Sequence, residues 1–323
     1  PVVIGLLPVP GGALFSAPLV DNCDAGKNTD PCLKSVINFW FRHIWEFCWP
    51  LFPGILLAME IGDINLFHVL LYGVPLCLSM VLTGYLFLLR KVPAGEAKPV
   101  AANGRFLSRF LLLTSPIIIV VGTQSLFQVV FPELSRVYKY LPIILGNIIA
   151  ALFLQSLRPL KLADWRKILR QKKIYAMTLM IAMIKVYSAF IDAKLPGGTP
   201  LVTKLSEELT AFGIPVLFLT ILLPFITGLT TGLSLGFVGT SFPLIFSFLG
   251  TNPGLGQTLA TLALAYGCGL MGVMISPLHV CLLVSNEYFE VKLSTSLRYL
   301  LKPAGAGIIC ALAFYFLFGL IPG

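Results

Sequence analysis

The sequence predicts an all-α polytopic membrane protein organised as inverted repeats, with two re-entrant hairpins and two Pro-broken transmembrane helices. Three observations carry this. Of 323 residues, 57% are hydrophobic and only 11% charged, and the mean hydropathy is +0.90. A soluble domain carries about 25% charged residues, so this chain cannot cover a water-facing surface. A soluble enzyme, a secreted disulfide scaffold and a disordered chain are excluded on that ground. The 29 Gly and 23 Pro suit interrupted membrane helices better than a plain bundle. The third observation is a motif order that occurs twice.

A membrane-crossing helix needs about 20 apolar residues. Uninterrupted candidates lie at 66–89, 110–131, 140–157, 174–194 and 303–320. Four further apolar regions are broken. Residues 2–20 contain Pro8, Pro10, Gly11, Gly12 and Pro18, and residues 38–59 contain Pro50, Pro53 and Gly54. Residues 214–249 are too long for one span and have a Gly/Thr-rich centre; residues 259–285 break at Pro277. Non-helical backbone survives at membrane depth only where it is buried in protein or lines an aqueous cavity. The broken regions are therefore where function is sought. Residues 200–212, with Lys204, Glu207 and Glu208, read as an amphipathic surface helix.

The net charge of +9 is a topology signal, not a nucleic-acid footprint. Twelve of the 23 basic residues fall in two stretches, 90–109 and 158–173, each between apolar runs. Cytoplasmic loops of an inner-membrane protein collect Lys and Arg in this way. Two spans separate the stretches, so both can be cytoplasmic. Counting outward from them, residues 132–139 and 61–65 fall outside, and 21–35 and 286–302 inside. The hairpin at 2–20 then enters from the cytoplasm and the hairpin at 214–249 from outside.

Opposed hairpins imply an inverted repeat. Ser16-Ala17-Pro18-Leu19-Val20 parallels Ser241-Phe242-Pro243-Leu244-Ile245, offset by 225 residues. Trp49-Pro50-Leu51-Phe52 parallels Ser276-Pro277-Leu278-His279, offset by 227. Leu6-Leu7-Pro8 is answered by Leu222-Leu223-Pro224. Helix breaks expose backbone N–H and C=O groups. Half-helix N-termini attract an anion, and unwound carbonyls can hold Na⁺. Glycine permits close backbone approach, and small hydroxyls complete a shell without adding charge. The candidate substrate- and ion-binding residues are therefore Pro10, Gly11, Gly12, Ser16 and Pro50 in one half. Thr230, Thr231, Gly232, Thr240, Ser241, Ser276, Pro277 and His279 supply the other.

Several strings resemble a known family. Residues 7–18, Trp40-Phe41-Arg42-His43-Ile44-Trp45-Glu46, Ser276-Pro277-Leu278-His279-Val280-Cys281-Leu282 and Asn286-Glu287-Tyr288-Phe289 are similar to a prokaryotic integral-membrane family without an assigned substrate. That family is placed in the ion transporter superfamily, beside gluconate permeases and divalent-anion/sodium symporters. The resemblance covers essentially the whole chain. It implies a scaffold plus a mobile transport domain, elevator-type alternating access and a homodimer. The expected division is 1–60 and 213–290 for the two hairpins with their broken helices, and 61–109 for a span and basic linker. Residues 110–212 are the expected scaffold helices and 291–323 the final span. Only the second half has three spans before its hairpin, so about three N-terminal spans are missing relative to a complete repeat pair. The chain opens on Pro1 with no initiator Met or signal peptide, as a fragment or processed product would.

The other polar residues admit more than one reading. Arg42 and Glu46 are spaced i, i+4 for an ion pair, and His43 and Glu46 i, i+3 for a metal face; among Trp40, Trp45 and Trp49 an interfacial anchor is the simpler account. His279 either meets substrate or shuttles a proton, or is a hydrogen-bonded interior histidine. Lys185 reads as structural or domain-facing. Asp21 and Asp24 belong to a solvated loop or a cation gate. The seven Cys have no metal spacing and read as buried and structural; no metal or cofactor is expected beyond a coupling Na⁺ or H⁺. Intramembrane catalysis is disfavoured, because no H-E-x-x-H exists and no carboxylate pair lies deep in the spans. The expected function is a secondary transporter of a small anionic organic solute, with a channel as the alternative.

Overall fold

The computed structural model describes residues 1–6, 12–24, 28–50, 52–93, 105–138, 141–157, 159–191, 193–199, 201–213, 215–250 and 253–321. Helix dominates these residues. In chain order the helices are α1 (Val2–Gly5), α2 (Ala13–Cys23), α3 (Pro31–Arg42), α4 (Pro53–Ile61), α5 (Leu66–Phe87) and α6 (Arg105–Val130). They continue with α7 (Pro132–Val137), α8 (Leu141–Leu157), α9 (Leu162–Leu169), α10 (Lys172–Ile191) and α11 (Leu201–Ala211). The last are α12 (Val216–Thr231), α13 (Ser234–Leu249), α14 (Leu255–Met274), α15 (Val280–Tyr288) and α16 (Leu293–Gly319). Among the described residues, three helical segments are long and apolar enough to cross a membrane: Leu66–Lys91, Leu255–Met274 and Leu293–Gly319. With the charge-poor composition, they mark a membrane protein.

The chain forms two compact units, Lys98–Thr178 and the remainder. Within Lys98–Thr178, α6 packs on α8, and a Cβ at Gly146 would stand 3.0 Å from the Cα of Val120. The remainder is centred on α14, in which residues 258–274 are all buried. Around it pack α12, α13, α5 and α16. Lipid tails give little hydrophobic reason for helices to associate, so close packing must do so. Small residues supply it. A Cβ at Gly228 of α12 would strike the carbonyl of Gly269, and one at Gly272 the carbonyl of Phe225.

Local chemistry sets the element boundaries. Asp30 caps α3, accepting from the Cys32 N–H at 3.2 Å, with Pro31 at the first helical position. Asn65 and His68 form a reciprocal capping box at the start of α5. Between α12 and α13 the turn rests on Gly232 in the left-handed region at φ +64, which glycine adopts without steric cost.

The apolar runs at 66–89, 110–131, 140–157 and 174–194 correspond to α5, α6, α8 and α10. Two expectations need correction. The last span does not begin at Pro303: α16 starts at Leu293 and carries Pro303 inside it, so residues 293–302 are helix and not loop. The turn in the Gly/Thr-rich centre of 214–249 is confined to residues 232–233, and the candidates Thr240 and Ser241 lie within α13.

Candidate functional site

Four helices begin around one polar centre. α3 stops at Arg42, a 3-10 turn covers Ile44–Phe47, and α4 restarts at Pro53. α14 stops at Met274 and α15 restarts at Val280. Gly232 closes the α12–α13 turn directly against the second break: a Cβ there would lie 3.0 Å from the His279 backbone nitrogen and 3.1 Å from Ser276 Oγ. Gly54, at the start of α4, is pressed against Ser234, at the start of α13, and the Tyr266 hydroxyl. Gly12 is the N-cap of α2, and a Cβ on it would strike the Arg42 guanidinium. The N-termini of α2, α4, α13 and α15 are thus tied by contacts to Arg42, His43, Glu46 and His279.

The centre is buried and polar. Arg42 is 5% exposed, His43 3%, Glu46 6% and His279 7%. The two histidines face one another with Nε2 atoms 3.1 Å apart and ring planes at 85°. Phe39 packs on both rings, at 4.6 and 5.0 Å between centroids. His43 Nδ1 lies 2.7 Å from the Phe39 carbonyl, so Nδ1 carries the proton that it donates there. Glu46 Oε1 is 3.8 Å from His43 Nε2, and the Ser234 hydroxyl lies beside the same carboxylate. The charge of Arg42 bears on Glu46 and on both histidines. These burials overturn the interfacial-anchor account of Arg42, His43 and Glu46, because an anchor would face lipid headgroups. Packing of α3 against α15 carries the three inward.

The predicted residues divide. Pro10 and Gly11 lie outside the described residues. Gly12, Gly232, Ser276 and His279 are brought to the centre. Ser276 Oγ donates to the Leu229 carbonyl at 2.6 Å and accepts from the Leu278 N–H at 3.2 Å, so it fastens the break to the α12 end. Thr230, Thr231 and Pro277 are exposed at the rim; the Thr230 and Thr231 hydroxyls donate to Ile226 and Thr227 carbonyls within α12. Pro50 is half-buried in the first break. Ser16 and Ser241 are buried, and each hydroxyl donates to the carbonyl four residues earlier in its own helix. Thr240 does the same to Gly236 at 2.7 Å. Such back-bonding occupies the hydroxyl proton, leaving Ser16, Thr240 and Ser241 as helix residues first.

Arg42, His43, Glu46, Ser234 and Tyr266 lie outside the candidate binding set, although the first three were weighed as an ion pair or metal face. The signal available for Arg42 was a charged residue next to a predicted break. Ser234 and Tyr266 had none, since only tertiary packing brings them in.

A second polar cluster is bonded through α3 and α15, with Asn38 Oδ1 and Asn286 Nδ2 its two buried atoms outside the network. Ser35 Oγ lies 2.7 Å from Asn286 Oδ1 and 3.0 Å from Ser285 Oγ; Asn38 Nδ2 donates to Ser285 Oγ and to the Ala13 carbonyl, each at 3.2 Å. Ser296 Oγ donates to the same Asn286 oxygen at 2.7 Å. At the end of α2, Lys34 bridges Asp21 and Asp24 at 2.9 and 2.8 Å. The hydrogen bond from Lys34 holds the Asp24 carboxyl below the ordinary carboxylate range.

No curated protein matches the chain. Residues 1–318 match the model of the family described as "Protein of unknown function (DUF401)", and the chain belongs to that family.

Proposed function

We propose that this protein is a secondary active transporter for a small anionic organic solute, bound at the buried polar centre of Arg42, His43, Glu46 and His279, around which four helices begin. That convergence is the observation that carries the reading. A helix N-terminus presents unsatisfied N–H groups and about half a positive charge; the α2 N-cap Gly12 abuts the buried Arg42 guanidinium, α4 and α13 begin against one another at Gly54 and Ser234, the latter beside Glu46, and α15 begins at His279 against His43. The guanidinium offers a planar fork suited to carboxylate. Gly12 allows backbone to approach it. Exposed Thr230, Thr231 and Pro277 form the rim by which a solute enters.

The repeat reading draws support from reciprocal packing. α2 packs on α3 and on α15; α13 packs on α14 and on α4. These contacts exchange when the first half is mapped onto the second by the offset of about 225 residues seen in the motifs. Ser16 and Ser241 each donate back into their own turn, Ser16 to the Gly12 and Ala13 carbonyls and Ser241 to that of Phe237. We place the chain on this basis in the ion transporter superfamily, as a multi-pass inner-membrane protein with two opposed re-entrant hairpins. Elevator-type movement, coupling to Na⁺ or H⁺ and a homodimer belong to the same proposal. A closed, two-sided centre favours alternating access over an open pore.

The test is solute counterflow. A thermal-shift screen of carboxylates, sugar acids and amino acids, with and without Na⁺, first finds a stabilising solute. That solute, radiolabelled, is then exchanged across proteoliposomes. Exchange against a gradient that is lost in Arg42→Gln supports the reading. Flux without counterflow indicates a channel, and counterflow untouched by Arg42→Gln removes the proposed site.

A further inference from the structure

We infer that His43, His279 and Cys281 form a binding site for a divalent transition metal of the zinc class, cross-linking the two helix breaks. Their ligand atoms all lie within 4.8 Å of one another. Zn–N bonds of about 2.0–2.1 Å in a tetrahedral site put two nitrogens roughly 3.3 Å apart. The two Nε2 atoms stand 3.1 Å apart, with rings at 85°. Closing the thiol onto the same metal requires a movement of about 1 Å, within one side-chain adjustment. Water completes the tetrahedron, and Glu46 Oε1, 3.8 Å from His43 Nε2, stands beside the site as a counter-charge.

Backbone geometry explains how the second half supplies two ligands two residues apart. Residues i and i+2 on a helix point different ways. His279, however, is the N-cap of α15, with extended φ −72 and ψ 109, and Cys281 is in the first turn. The bend turns both toward His43. A helix N-terminus also favours the thiolate, the form that ligates.

The histidine hydrogen bonds fit a metal better than they fit each other. With His43 Nδ1 donating to the Phe39 carbonyl, its Nε2 holds a lone pair. That nitrogen can accept a hydrogen bond only from a protonated His279 Nε2. His279 Nδ1 is then a buried lone pair with no partner. With metal on both Nε2 atoms, the His279 proton moves to Nδ1, and the Gly232 and Val273 backbone lies close to the ring. Both rings then have the outer hydrogen-bonding position that metal-bound histidines use. The balance is direct. The divalent ion takes lone pairs from two imidazoles, one thiolate and a water; the Cys281 thiol releases its proton to bulk water, and the thiolate with the neighbouring Glu46 carboxylate balances the two positive charges. The site stands independently of transport, because its readout is spectroscopic.

The full chain in detergent, stripped with chelator, is titrated with Co²⁺ and then Zn²⁺. We expect one cobalt per chain, with tetrahedral visible bands and a thiolate-to-cobalt charge-transfer band that Zn²⁺ abolishes. Cys281→Ser removes the charge-transfer band and weakens binding about tenfold or more. His43→Ala and His279→Ala lose the visible bands, and His68→Ala, at the α5 cap, titrates as the parent does. Cys281→Ser is nearly isosteric, so its result stands even where a histidine variant fails to fold. A folded parent with no saturable cobalt spectrum, or a spectrum unchanged in Cys281→Ser and His279→Ala, overturns the inference.

Discussion

The two broken segments meet at one centre but bring opposite kinds of residue to it. α14 is small and apolar, with Gly267, Gly269 and Gly272 among residues buried throughout. α3 and the turn after it bury Lys34, Ser35, Asn38, Arg42, His43 and Glu46. Similar interruptions can therefore serve different ends. In the second segment the backbone approaches its neighbours closely, and in the first the side chains carry charge. Packing errors should dominate along α14, and chemical errors along α3.

The largest expected effect is on the packing side. Gly228→Val drives a Cβ into the carbonyl of Gly269, and two backbones cannot yield as a side chain can. Overpacking of this kind costs about 1–3 kcal/mol or more. The expected outcome is a large fall in the unfolding temperature in detergent, or loss of monodisperse protein. Thermal unfolding of Gly228→Val no different from the parent would break the contrast. Next is Arg42→Gln. Removing a buried charge that faces a bound anion costs about 2–5 kcal/mol of affinity, a loss of roughly thirtyfold or more. The unfolding temperature without solute should fall less than in Gly228→Val. Isothermal titration with the stabilising solute, beside a melt of the empty protein, separates the two effects.

Much of the architecture is legible in the sequence because it depends on local signals. Apolar run length gave α5, α6, α8 and α10, and Pro50 and Pro277 marked both interruptions. α16 was less legible, because Pro303 was read as a boundary. Within a long helix a proline can be accommodated, and α16 continues from Leu293. The centre was half legible. Gly12, Gly232 and His279 followed from the rule that broken backbone marks function. The placement of Arg42 and His43 did not. An i, i+3 or i, i+4 pattern describes neighbours on one helix, whereas the partner of His43 is His279, 236 residues away. Ser16, Thr240 and Ser241 erred the other way: a hydroxyl near a break looks available until its bond to its own helix is seen.

Asn286→Leu tests whether the polar side of α3 is structural away from the centre. Asn286 Oδ1 is bonded to both Ser35 and Ser296, and all three side chains are buried. Leucine would leave those hydroxyls short of a partner, at about 1–3 kcal/mol for an unsatisfied buried group. Chemical or thermal unfolding should register the loss, and the double change Ser35→Ala with Asn286→Leu should recover part of it. No recovery in the double variant would mean that volume, not hydrogen bonding, sets the cost.

The smallest effect is expected at the edge of the same helix, where Lys34 joins Asp21 and Asp24. The Asp24 carboxyl is held below its ordinary range by its hydrogen bond from Lys34. A carboxyl with a depressed folded-state value contributes stability that is complete above its unfolded value, about 3.9. That contribution is lost as pH falls through the folded value. This contribution should therefore be constant across neutral pH and be lost only on acidification below about pH 4. Asp24→Asn, which cannot titrate, should start slightly lower and show a shallower acid limb. Asp21 continues to hold Lys34 at 2.9 Å, so the difference stays small. A full-strength acid limb in Asp24→Asn would assign the acid sensitivity to another carboxylate. It would also confine the electrical work of α3 to its inner end, where Arg42, His43 and Glu46 meet the second break.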